Sequence, residues 1–375
     1  MNKLHIVSFD VPFPANYGGV IDVFYKLKFL REQGVEIYFH CFEYGRGQQV
    51  ILNNYCKEVY YYKRNTSFFQ HFTLLPFIVK SRKNKELLNN LSLIDAPILF
   101  EGLHTCGFLN DARLKDRFKI YRESNIEHEY YFKLAESESS LLKKIYFFIE
   151  AIKLKRFEKT LVHSDLMLTV SKKDNEYLKQ KFPNNLVEYL PSFHPYKACV
   201  SNPGKGDYVL YHGNLQISEN HLAAMFLVKE VFTEPHLKYI IAGLNPKSDL
   251  KKLIALKDNI ELIENPDQDT LNELIQHAHI NCLVSFQKTG LKLKLLHALF
   301  AGRFCMVNDE MLYGTDLSEL CIIGNSAEEL RKKIKDFFNY SFTEKETSSR
   351  EQKLKLYNVE LNAKRILEIV QKRNA

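Results

Sequence analysis

Thr289-Gly-Leu-Lys-Leu-Lys-Leu-Leu-His-Ala-Leu-Phe-Ala-Gly-Arg-Phe-Cys-Met-Val-Asn-Asp309 reads as a Gly-opened helix, a stop at Gly302 and a short buried strand from Phe304 to Val307. Gly290, Lys294, His297 and Ala301 recur at helical spacing and share one face, with Leu293, Leu296 and Phe300 forming an apolar stripe beside it. The helix follows another buried run, Asn281-Cys-Leu-Val-Ser-Phe286. A helix that starts at the carboxyl end of a parallel strand offers free N–H groups and a positive dipole end, which suits an anion. Two readings of the polar line stand open at this point. Either Lys294 and His297 hold an anionic ligand, or Lys294 reaches past its apolar neighbours to solvent and His297 is a hydrogen-bonded wall residue.

Outward from this stretch, strands and helices alternate. Residues 4–9 predict a buried strand, a loop with Pro12, Pro14, Gly18 and Gly19 follows, and a helix is expected from about Val20 to Gln33, then a strand from Val35 to Phe42. Further strands are expected at 58–62, 98–100, 118–121 and 166–170, and helices at 85–91, 130–157 and 172–181. Pro and Gly crowd into Tyr189-Leu-Pro-Ser-Phe-His-Pro195 and Gly204-Lys-Gly206, where apolar periodicity lapses. A second series then begins, with strands at 208–211, 237–242, 260–263, 280–284 and 304–307, and a last amphipathic helix at about 353–370. The order predicts an α/β chain of two doubly wound, Rossmann-like domains facing a cleft. The expected division is a first domain over 1–190, a linker over 191–206, a second domain over 207–350, and a terminal helix over 351–375 that packs back on the first.

Bulk properties narrow the class. A length of 375 residues exceeds one ordinary core, and 45% hydrophobic with 26% charged residues belongs to a folded soluble protein. The net charge of +7 is modest for this length. Basic residues are scattered rather than interleaved with aromatics, which argues against nucleic acid. Seven widely spaced cysteines without a Cys-x-x-Cys pair point to reduced thiols in the cytoplasm. No apolar run reaches the roughly 20 residues that span a bilayer. Two segments mix apolar and basic residues in the manner of a membrane-surface element: Phe68 to Lys83, and the helix Leu141 to Lys159. The alternative for the helix is a core-facing element with a solvated basic side.

Candidate chemistry sits where strands end. The Gly18-Gly19 pair permits close backbone approach to a phosphate or sugar, or simply a tight turn. His104, in Glu101-Gly-Leu-His104, follows a parallel strand, where an imidazole can bind hydroxyls or phosphate, although a lone histidine is often structural. Arg122-Glu-Ser-Asn125-Ile-Glu127 is dense in polar groups and is either site chemistry or a capped helix start with Ser124 or Asn125 at the cap. His212-Gly213-Asn214 and Gly243-Leu-Asn-Pro246 follow strands in the second half. No Gly-x-Gly-x-x-Gly, Walker loop or Gly-x-Ser-x-Gly is present and no Asp-x-Asp pair suggests a metal-held diphosphate, so a nicotinamide cofactor, ATP, a nucleophile elbow and a metal site are not favoured.

The pattern resembles retaining glycosyltransferases of the family-four type, whose donor helix runs roughly Gly-x-x-x-Lys-x-Leu-Glu-Ala-x-Ala-x-Gly. Gly290, Lys294, Leu296, Ala298 and Gly302 fit that register, with Ala301 one place past the second Ala, and the Gly-Gly loop, His loop, Gly-Asn-Leu loop, donor helix and final helix occur in order along the chain. The resemblance implies the B-type fold, no metal, and no cofactor beyond a nucleotide-diphosphate sugar as co-substrate. It implies transfer of a hexose, of mannose type, to a glycan or lipid-linked acceptor in cell-surface polysaccharide synthesis, at the inner face of the plasma membrane. It assigns the donor to Gly18, Gly19, His212, Gly213, Asn214, Gly243, Gly290, Lys294 and His297. It assigns the acceptor to Glu101, Arg122 and Asn125, with His104, Glu127 and Lys294 catalytic. Two departures matter. The family's paired glutamates fall on Thr289 and His297, and the Arg and Lys that often bind diphosphate are absent from Gln216 to Asn220. They leave open a non-catalytic binding or scaffold protein with a degenerate donor site, or an epimerase of the same fold.

Overall fold

The computed structural model describes residues 2–287 and 292–374, with side chains to residue 372. Thirteen strands among these form two sheets. The first sheet comprises β1 (Lys3–Ser8), β2 (Glu36–Glu43), β3 (Glu58–Lys63), β4 (Ile98–Glu101), β5 (Lys119–Arg122), β6 (Leu166–Thr169) and β7 (Leu186–Tyr189), in the order β3-β2-β1-β4-β5-β6-β7. The second comprises β8 (Tyr208–Asn214), β9 (Lys238–Leu244), β10 (Ile260–Glu264), β11 (Ile280–Leu283), β12 (Phe304–Val307) and β13 (Ile322–Ile323), in the order β10-β9-β8-β11-β12-β13. All pairs are parallel. Helices cover both faces, which is why the central strands read as continuous apolar runs. In each sheet the order reverses beside the first strand, between β1 and β4 and between β8 and β11. Open parallel sheets bind ligands outside the carboxyl ends at such points.

The chain divides into two compact units. The first holds residues up to Phe193, apart from 16–18, together with the terminal helix Val359–Asn374; the second holds His194–Asn358 and residues 16–18. In the first unit, Leu4, Ile6, Leu27, Ile37 and Phe39 pack with Val359, Ala363, Ile366 and Val370 of that terminal helix. In the second, Leu210, Ile240, Ala242 and Ile275 pack in one apolar cluster among the described residues.

Several local expectations are corrected. The helix expected over 130–157 is two, Glu127–Ser137 and Leu141–Phe157, broken at a serine-rich joint. The last expected helix is likewise two, Glu344–Leu354 and Val359–Asn374, and the first of them stays with the second unit. The first helix starts at Gly18, so the glycine pair forms its opening turn instead of the loop before it. Strands β7 and β13 were not expected. The donor helix is described from Leu293 to Ala301, and Gly290 and Thr289 lie outside the described residues. No helix among the described residues is long and apolar enough to cross a membrane.

Candidate functional site

In the second unit the switch point gathers the polar groups. His212 and Gly213 end β8, and Lys294 and His297 project from the helix Leu293–Ala301 that follows β11. Lys294 Nζ donates to Asn220 Oδ1 at 3.0 Å and lies 4.9 Å from the centre of the Tyr211 ring. Burial pushes its pKa down to about 8, against the charge of Glu219, which favours the cation. At neutral pH Lys294 therefore keeps its proton, with donor capacity beyond Asn220. The Glu219 carboxylate already accepts the Ser285 hydroxyl. His212 is buried, and burial, with Lys294 and His297 nearby, holds its pKa well below the usual histidine range. Burial lowers His297 to about 4. Both imidazoles are neutral, and the Nε2 atom of each is buried without a hydrogen-bond partner. Tyr196 stands edge-on to His297, ring centres 5.7 Å apart. Buried polar atoms normally find partners, so three clustered groups with unused capacity describe a place for a polar ligand.

The glycines divide by what a side chain would meet. A Cβ on Gly243 would lie 1.9 Å from the Gly213 carbonyl oxygen, so the parallel register of β8 and β9 alone requires glycine there. A Cβ on Gly213 would press Asn220 Cγ at 3.2 Å, the residue that holds Lys294. Asn214 shapes its loop: its Oδ1 accepts the Gln216 N–H and its carbonyl accepts Asn220 Nδ2. Lys292 donates to the Gln287 carbonyl at 3.0 Å. Gly19 leaves room for Phe9, whose Cζ would be 2.6 Å from an added Cβ, whereas a Cβ on Gly18 would meet nothing closer than 4.0 Å. Packing accounts for Gly19 and Gly243; it does not account for Gly18.

In the first unit the expected acceptor and catalytic residues separate into two groups. Glu101 and Arg122 are buried in a charge network with Asp22 and Lys26. Lys26 Nζ donates to Glu101 at 2.5 Å and to Asp22 at 3.1 Å, and Arg122 Nε lies 3.5 Å from Asp22. Arg122 also donates to the Leu190 and Pro191 carbonyls, and Asp22 accepts the Phe193 N–H. Burial raises the Asp22 pKa, but Lys26 and Arg122 more than offset it and hold the carboxyl below its ordinary value. These groups brace the end of the first unit, and Glu101 and Arg122, expected at the acceptor, are held within that network. Neither Ser124 nor Asn125 caps the next helix, whose N-cap is Ile126.

His104 and Glu127 form the second group. Gly102, at φ 71°, makes a left-handed turn after β4, and a Cβ there would come within 3.0 Å of His104 Nδ1. The His104 ring lies 5.3 Å from that of Phe9, and its Nδ1 is 3.9 Å from Glu127 Oε1. Burial, followed by Arg82 and Arg64, keeps His104 neutral. Burial raises Glu127 to about 8, with Arg82 opposing, so this acid is protonated at neutral pH. Sequence reasoning passed over Glu123, which is buried with both carboxyl oxygens unpartnered and its pKa pushed well up by burial and then by Asp174. It also passed over Arg64, Arg82, Tyr211, Glu219 and Asn220. Of these, Asn220 stands within the segment already read as diphosphate-binding in related enzymes, which was its available signal.

Residues 206–340 match the family of glycosyl transferases group 1. An uncharacterized 44.6 kDa protein in the cps region of Klebsiella pneumoniae is 30% identical over 363 residues, covering 91% of each chain. Solved structures share the fold at low identity. TarM of S. aureus, solved as a mutant with fondaparinux, alpha-GlcNAc-glycerol and UDP, superposes with a TM-score of 0.66 at 12% identity, over 99% of this chain and 100% of that one. The UDP-forming trehalose-phosphate synthase of Burkholderia xenovorans gives 0.64 at 11% identity over 98% and 99%. HepE of Anabaena, solved with UDP and glucose, gives 0.61 at 11% identity over 100% and 98%. With its pair of parallel sheets in the B-type glycosyltransferase fold, the chain belongs to the group 1 glycosyltransferase family.

Proposed function

We propose that this glycosyltransferase moves a hexose from a nucleoside-diphosphate sugar, bound by the second unit, to a hydroxyl of a glycan or lipid-linked acceptor in cell-surface polysaccharide synthesis. The observation that carries the donor assignment is the group formed by Lys294, His212 and His297, with two buried imidazole nitrogens unpartnered at the switch point. The Klebsiella relative in the cps region supports the polysaccharide setting. The chemistry breaks an anomeric C–O bond and leaves a diphosphate anion, so stabilising that anion is the main task. Lys294 supplies the charge, the neutral His297 a hydrogen bond to ribose or phosphate, and Gly18 an open backbone. In the first unit, neutral His104 orients a sugar hydroxyl and protonated Glu127 donates to the acceptor. Retention at the anomeric carbon without a metal is the expected course.

The test is thermal unfolding with UDP, GDP, CMP and their sugars, for the wild type and Lys294→Ala. A ligand at 100 times its Kd adds about 2.7 kcal/mol. A shift with one base, reduced in Lys294→Ala, supports the reading; no shift with any sinks it. His297 in the place of the family's glutamate favours a second reading, a binding subunit with a degenerate site. That reading expects neither hydrolysis nor transfer of any donor.

A further inference from the structure

We infer that the first unit docks on an anionic lipid surface through a face built from the turn Phe68–Phe72 and the outward side of the helix Leu141–Phe157. The turn has no buried residue, and Phe69 is 81% exposed, with Leu74 beyond it at 94%. On the helix, Leu141, Leu142, Ile145, Phe148, Ile149 and Ile152 follow helical spacing on one side. The first five are exposed, Leu142 at 82%. The opposite side carries Glu150, Ala151 and Leu154, which are buried. Phe148 meets Phe132 of the preceding helix, ring centres 5.6 Å apart, and the apolar side left uncovered is that of Leu141, Leu142, Ile145 and Ile149.

The two elements form one rigid face. Lys153 Nζ donates to the His71 carbonyl at 2.9 Å, Glu150 accepts the Phe77 N–H at 2.6 Å, and the His71 ring stacks on Phe77 at 3.9 Å and meets Tyr146 at 5.4 Å. Arg64 lies over the Phe77 ring at 5.2 Å. Charge selects the occupant. Lys155 and Arg156 are exposed and flank the apolar side by helical spacing, and Lys159 follows on the continuation of the helix; Lys143 and Lys144, also exposed, lie toward the side of Glu150 and Ala151. Apolar side chains ringed by cations suit an interface of acyl chains and anionic head groups. A second protein copy would bring the same cations against themselves.

Co-flotation of the full chain with vesicles tests this without nucleotide or acceptor. Binding is expected to vesicles of phosphatidylcholine with about one-third phosphatidylglycerol, weaker binding to phosphatidylcholine alone, and weakening by salt. Lys155→Glu with Arg156→Glu should lower partitioning about tenfold or more, and Phe69→Ser with Leu142→Ser should abolish it. These positions are exposed, so melting temperature should be retained, which unfolding scans check. Absence of wild-type binding to the anionic vesicles overturns the inference, as does binding unchanged in both variants. A dimer seen by light scattering that Phe69→Ser with Leu142→Ser dissolves, with no vesicle binding, assigns the face to a second copy and overturns it too.

Discussion

Two buried polar clusters, one in each unit, differ in a single respect. Asp22, Lys26, Glu101 and Arg122 are packed so that the two cations answer the two carboxylates and the nearby backbone carbonyls and N–H take most of the remaining capacity; Arg122 Nε makes no hydrogen bond but faces the Asp22 carboxylate at 3.5 Å. Lys294, His212 and His297 are packed about as deeply, yet two imidazole nitrogens have no partner and the lysine has only neutral ones. The difference teaches how to read burial. A satisfied polar cluster is a brace, and an unsatisfied one is a site whose remaining partners come from a ligand.

Four experiments would break or sharpen this contrast. Lys26→Met, which strands two buried carboxylates, should lower stability by about 3–5 kcal/mol, read by urea unfolding of the full chain. Stability close to wild type would mean that the network is no brace. Lys294→Ala should unfold at nearly the wild-type denaturant concentration while transfer falls about 10²–10³-fold, read as sugar released from or transferred by the donor. Unchanged turnover would take Lys294 out of the mechanism. The pH dependence gives a third measurement. Lys294 has its pKa lowered to about 8, so its charge is present below that value and lost as pH rises through it. Nucleotide affinity should therefore fall above about pH 8 in the wild type, and a titration of Lys294→Ala should lack that limb. The smallest effect is expected for His297→Ala. Loss of one neutral hydrogen bond should weaken nucleotide binding about three- to tenfold, measured by calorimetry.

The contrast was only half legible in the sequence. Buried runs such as 98–100, 280–284 and 304–307 announced their strands, because a sheet covered on both faces needs continuous apolar residues. The break at 138–140 was missed because apolar residues on both flanks keep helical spacing across it; the run Ser137-Glu138-Ser139-Ser140 was the signal. The two residues of β13 are too few to show a period. Lys294 and His297 could be placed on one face by spacing alone. Glu101 and Arg122 could not be told from site residues, since their partners Asp22 and Lys26 lie far off in sequence, and polar residues at strand ends look alike until the pairing is visible. Asp22 and Lys26, four apart in an otherwise apolar helix, were the hint.

The terminal helix Val359–Asn374 fixes the order in which the protein can be finished. Its Val359, Ala363, Ile366 and Val370 belong to the core of the first unit, although β1 through β7 are complete by Tyr189. A ribosome adds roughly 5–20 residues per second, so the nascent first unit waits some tens of seconds with part of its core uncovered. The second unit, made later, has all of its strands before that helix emerges. The half synthesised first is thus sealed only after the second, and until that helix emerges it depends on whatever shields that open groove.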